Sequence, residues 1–141
     1  MNLERAIQIA VEAHAGATDR GGKAYILHPL NVMMRVKSEE EKIVAVLHDV
    51  VEDTNWTFDM LREEGFSDII IQALISVTKF TEDEDYDLFV QRSLKNRIGR
   101  IVKIADLNEN LDVKRIGVLG EADIKRLNKY KKALKTLSEV G

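Results

Sequence analysis

Apolar residues return at steps of three and four along almost the whole chain. Leu3, Ala6, Ile7, Ala10, Val11 and His14 mark a first amphipathic helix. The stretch from Gly16 to Lys23, with Gly21-Gly22 at its centre, breaks that rhythm and reads as a loop. Pro29, the only proline, fits the first turn of a second helix carrying Leu30, Val32, Met33 and Val36. Ser38 followed by Glu41 has the spacing of a capping box. It opens a third helix whose apolar face is Ile43, Val44, Val46, Leu47, Val50 and Val51. Further helices are predicted over Thr57–Glu64, Ser67–Thr78, Asp85–Lys95, Ile98–Leu111 and Glu121–Glu139. No alternating stretch is long enough for a strand, and Ile69-Ile70-Ile71 continues helically through Ala73, Leu74 and Val77. The expectation is an all-α, compact bundle of about seven or eight helices, forming a single domain over residues 1–141.

Composition narrows the function classes. The chain has 141 residues, 45% of them hydrophobic and 32% charged, which suits a soluble globular domain. It has no cysteine, which excludes disulfides, thiolate nucleophiles and zinc fingers, and fits a cytoplasmic location. The N-terminus lacks the pattern of a signal peptide, and no apolar run is long enough to span a membrane. A net charge of −3 gives no electrostatic reason to expect nucleic-acid binding. The basic residues Lys125, Arg126, Lys129, Lys131, Lys132 and Lys135 interleave with leucines and read as a solvated helix face. Apolar helix faces beyond the needs of a small bundle make a homodimer an expectation.

Chemistry concentrates in AVLHDVVEDT. His48-Asp49 sits inside an otherwise aliphatic helical segment, and Asp is expensive to bury unpaired. Glu52 and Asp53 follow four residues on, one helical turn away on the same face. An imidazole and up to three carboxylates then share one point, a density of acid that a divalent cation would neutralise. Imidazole and carboxylate ligands suit manganese, iron or zinc better than calcium. His28 can supply a second imidazole, and Asp106 is a lone carboxylate on the apolar stripe Ile101, Val102, Ile104, Ala105. Taken singly, His28 reads more readily as a core histidine bonded to backbone, and Glu52-Asp53 as a solvated helix end. Taken together, the four positions are better explained by a metal.

The segments AHAGATDRGGKAYILHP, AVLHDVVEDT, VTK and IVKIADLNENL, in that order, resemble the HD phosphohydrolases. Within them they resemble the hydrolase domain of the RelA/SpoT proteins and the small stand-alone alarmone hydrolases. The resemblance implies an all-helical domain with one bound metal, usually Mn2+, held by His28, His48, Asp49 and Asp106. It places the catalytic acid pair on Glu52 and Asp53. It implies a nucleotide substrate, guanosine tetra- or pentaphosphate, losing its 3′-pyrophosphate by metal-assisted attack of water. It assigns substrate contacts to Asn110, Arg126 and Tyr130, while Lys23 and Lys79 are further candidates for phosphate charge.

The base-contacting positions depart from the family pattern. By register Asp19 stands where an arginine stacks on guanine, leaving Arg20 to substitute from one position along. Leu107 replaces a basic residue, and Glu109 an aromatic or histidine. The length leaves no room for a synthetase domain, so hydrolysis without alarmone synthesis is expected. The alternatives are an HD nucleotidase acting on another nucleotide and a non-catalytic nucleotide-binding or regulatory module. The acidic loop from Thr81 to Asp87 would repel a polyphosphate if it closed over the site.

Overall fold

The computed structural model describes residues 1–112 and 118–139. Along the chain run α1 (Leu3–Ala13), α2 (Leu27–Met34), α3 (Glu39–Leu47), the single turn α4 (Val50–Asp53), α5 (Phe58–Glu63), α6 (Asp68–Ser76), α7 (Tyr86–Leu94), α8 (Arg97–Asn110) and α9 (Glu121–Ser138). Among the described residues the eight helices longer than a single turn match the expected number. Among the described residues there is no strand, only an isolated bridge between Thr18 and Ala24. Among the described residues no helix is long and apolar enough to cross a membrane.

Local chemistry sets the helix starts. Asn2, Ser38, Thr57, Ser67, Asp85 and Asn96 each accept a backbone N–H of the following turn. At α3 the reciprocal half is present too: Glu41 Oε1 accepts the Ser38 N–H at 3.2 Å, so the box read from Ser38 and Glu41 is formed.

α3 is central, packing on α1, α2, α6 and α8. Val44, Ala45, Val46, Leu47 and Val50 are buried there with Ile9, Val32, Ile71 and Val102 in the main core. A second apolar cluster joins Val90 of α7, Leu107 of α8, and Ala133 and Leu137 of α9. α8 serves both: Ala105 belongs to the first cluster and Leu107 to the second, with Asp106 between them. α6 and α8 approach closely at Gly99, where a Cβ would overlap Ser76 Oγ.

The third helix does not run through Asp53 as its periodicity predicts. It stops at Leu47 and resumes as α4 after a turn at His48-Asp49. The Ala45 carbonyl, which a continuous helix would offer to the Asp49 N–H, instead accepts from the His48 backbone at 3.4 Å and faces His48 Nδ1 at 2.6 Å.

Candidate functional site

The turn after α3 brings His48 and Asp49 to the mouth of α2. His28 Nε2, His48 and Asp49 offer ligand atoms all within 4.8 Å of one another, with both imidazoles buried. Asp106 of α8 reaches the same place: its Oδ1 lies 2.9 Å from His28 Nε2 and 3.4 Å from His48 Nε2. The Ala45 carbonyl stands 2.6 Å from His48 Nδ1, which fixes the ring so that Nε2 faces the carboxylates. Asp49 and Asp106 oxygens stand 3.0 and 3.4 Å from that Nε2, but neither is aligned for a hydrogen bond. Among the described residues Nε2 is therefore a buried nitrogen without a bonded partner. Burial disfavours the His48 imidazolium, yet Asp49 and Asp106 outweigh it and raise the pKa. The point between these groups favours positive charge. Two imidazoles and two carboxylates are also a donor set for a divalent transition metal.

The surrounding shell holds these groups in place. The Tyr25 hydroxyl donates to Asp49 Oδ2. Behind Tyr25 the buried His14 ring packs at 5.0 Å between centroids, its own pKa lowered by burial. Asp106 accepts from Lys103 Nζ at 3.1 Å and Asn110 Nδ2 at 3.2 Å. Burial opposes the Asp106 charge, but Lys103 and His48 hold its carboxyl well below the usual range. Lys103 is itself buried and kept charged by Asp106 against that burial.

Glu52 and Asp53 line the same cleft, a cavity of about 430 Å³. Glu52 Oε1 accepts the Lys79 backbone N–H at 2.8 Å. Partial burial, then the Asp49 and Glu52 carboxylates, lift Asp53 to about 6. Lys79, Asn110, Arg126 and Tyr130 line the cleft as well. Arg126 is paired with Asp123 at 2.7 Å.

Several expected substrate contacts sit differently. Arg20 lines the cleft but leans on Asp123, Nη1 to Oδ1 3.8 Å. Lys23 is exposed and not among the lining residues; its backbone closes a turn with Asp19. Asp19 Oδ1 accepts the N–H groups of Gly21 and Lys23, so this aspartate shapes the loop. Leu107 is fully buried in the second apolar cluster. Glu109 accepts from Asn31 Nδ2 and Arg35 Nε, tying α2 to α8. Both departures from the family pattern thus serve packing. The acidic loop folds back on Arg92, which pairs with Glu84 and donates to the Thr78 carbonyl. Residues 81–85 do not line the cleft.

Tyr25, Tyr86, Lys103 and Lys129 line the cleft and were not singled out from sequence. Tyr25 and Lys103 lie inside the quoted YILHP and KIAD segments, which was their only signal. Lys129 reads as one more solvated lysine.

The helical bundle, with an HD dipeptide at the end of its central helix facing a histidine and an aspartate from two neighbouring helices, resembles an HD-type domain. The chain resembles the hydrolase domain of the RelA/SpoT proteins. A solved structure of a metazoan orthologue of SpoT described as hydrolysing ppGpp superposes with a TM-score of 0.84, at 23% identity, covering 99% of this chain and 86% of that one. The guanosine-3′,5′-bis(diphosphate) 3′-pyrophosphohydrolase of Aquifex aeolicus is 28% identical over 138 residues, 90% of this chain and 19% of that protein. A probable GTP pyrophosphokinase of Mycobacterium leprae is 31% identical over 121 residues, 77% of this chain and 15% of its own length. The bifunctional (p)ppGpp synthase/hydrolase SpoT of Escherichia coli is 27% identical over 123 residues, 77% and 17% respectively. The chain spans less than a fifth of these three relatives. No family model matches the chain.

Proposed function

We propose that this chain is a metal-dependent hydrolase that removes the 3′-pyrophosphate of guanosine tetraphosphate or a close nucleotide relative. The reading extends to a single HD domain over the whole chain, acting in the cytoplasm. One observation carries it: an imidazole–carboxylate cluster, an acid pair and a cationic wall share one cleft. His28, His48, Asp49 and Asp106 would hold the cation, most simply Mn2+. When bound, it supplies Lewis acidity toward a phosphoryl oxygen and lowers the pKa of water.

The chain's own groups do the rest. Asp53, near 6, is poised to accept a proton at neutral pH, and Glu52, pinned by the Lys79 N–H, orients beside it. Lys79 and Arg126 neutralise phosphate charge, and Asn110 and Tyr130 border the sugar. Relatives named as ppGpp hydrolases support the substrate. The engagement of Asp19 in its turn and Arg20 with Asp123 favours a second reading, an HD nucleotidase for a different base.

The test is pyrophosphate release from guanosine tetraphosphate with added manganese, beside a panel of 3′-phosphorylated nucleotides. Release that chelation abolishes is the expected result. Glu52→Gln/Asp53→Asn should retain manganese binding and lose turnover by a factor of at least ~100. Undiminished turnover in that variant would refute the assigned roles.

A further inference from the structure

Glu52 is an exposed carboxylate on the single turn α4, and such a side chain turns freely unless a neighbour holds it. Among the described residues its hydrogen-bond partner is the Lys79 N–H, at 2.8 Å. Where Glu52 points therefore depends on where the backbone of Lys79 stands. Lys79 lies in the loop after α6, and beyond Thr78 that loop has little packing to place it. Phe80 is 62% exposed. A second hollow, about 430 Å³, is bordered by this loop and by Val51 and Phe58.

Arg92 of α7 supplies the missing restraint. Its Nη2 donates to the Thr78 carbonyl at 2.8 Å, on one side of Lys79. Nη1 and Nη2 both donate to the Glu84 carboxylate, and Glu84 Oε1 accepts the Phe80 N–H at 3.0 Å, on the other side. The guanidinium also stacks on the Phe80 ring, with Cζ 3.9 Å from its centroid. One planar group thus fixes the residues before and after Lys79, a use of the arginine fork that a lysine ammonium cannot reproduce. Arg92 is not among the residues lining the cleft. It reaches Glu52 only through this stretch of backbone.

We propose that Arg92 is a positioning residue: by gripping Thr78, Phe80 and Glu84 it holds the Lys79 N–H against Glu52 and so sets the direction of that carboxylate in the cleft. The consequence for turnover rests on the hydrolase reading, although the clamp itself is a property of the loop. Loosening it leaves the cleft lining intact and frees Glu52 to swing, which slows the chemical step more than it weakens substrate binding.

The experiment follows amide hydrogen exchange at Lys79 by NMR in the full chain, beside kcat and KM, for wild type, Arg92→Met, Arg92→Lys and Arg5→Met. Arg5 is the control: it makes the same two-pronged pair with Glu64, and neither residue lines the cleft. Exchange in a loop proceeds by local opening, so a general loss of stability does not imitate the effect. In Arg92→Met the Lys79 amide should exchange about tenfold faster. Its kcat should fall about tenfold with KM within about twofold of wild type. Arg92→Lys keeps the charge beside Glu84 without the fork, so it should fall between, and it carries the test if the methionine variant does not fold. Arg5→Met should match wild type in both readouts. Lys79 exchange unchanged in the Arg92 variants would overturn the clamp, and faster exchange with kcat intact would overturn its role in positioning Glu52. If wild type cleaves no nucleotide, the hydrolase reading falls by itself, and Lys79 exchange still decides the clamp.

Discussion

Replacing Gly99 by alanine adds one methyl where α8 crosses α6. The new Cβ would overlap Ser76 Oγ and stand 3.1 Å from Ser76 Cβ. Ser76 cannot turn aside freely, because its hydroxyl donates to the Ala73 carbonyl at 2.6 Å and its own carbonyl accepts from Ser93 Oγ at 2.8 Å. Either the helices part or that serine bond is lost. Overpacking a tight contact costs ~1–3 kcal/mol, and a lost buried hydrogen bond adds about 1. Alanine's better helix propensity returns about 1. The net loss is ~1–3 kcal/mol, or at roughly 3 °C per kcal/mol a melting point lower by roughly 3–9 °C. Urea denaturation of Gly99→Ala, Ser76→Ala and the double variant checks it. Removing the hydroxyl should recover most of the loss, a favourable coupling between the two sites. A Gly99→Ala protein as stable as wild type, or one gaining the full helix-propensity benefit, would refute the close approach.

Tyr25→Phe deletes the hydroxyl that donates to Asp49 and keeps the ring packed on His14; manganese affinity, read by fluorescence or paramagnetic resonance, should fall ~10–100-fold. Wild-type affinity in that variant would remove Tyr25 from the site. Glu84 is held near 2, chiefly by its bond to Arg92. The folded carboxyl binds its proton more weakly than the unfolded one, so this stabilisation is full above about pH 4.5 and drains away as pH falls toward 2. After solvent screening it is worth ~1 kcal/mol. Glu84→Gln should lower stability at pH 7 and flatten its decline over pH 5–2, as followed by denaturation at each pH.

Helix positions were readable because caps and apolar spacing are local. Ser38 with Glu41, and Ser67 before the Ile69–Ile71 run, needed no tertiary information. The break at His48 was not readable, since periodicity does not show which donor the Ala45 carbonyl takes. Nor did sequence tell which of the α9 lysines faces inward. That depends on α9 packing against α7 and α8, which turns Lys129 toward Tyr86. Asp19 and Glu109 looked like losses of substrate contacts; their hydrogen bonds to a turn and to α2 give both a structural use. The proximity of His28, His48, Asp49 and Asp106 was foreseeable only from the ordered motifs, because residues so far apart in the chain carry no local sign of contact.

That separation has a mechanical meaning. His28 and Asp106 are 78 residues apart and touch at 2.9 Å, in a chain without a cysteine. A cation gripped by both would act as a reversible cross-link closing a loop of more than half the molecule. Its release would restore to the unfolded chain much of the freedom that a disulfide would have withheld.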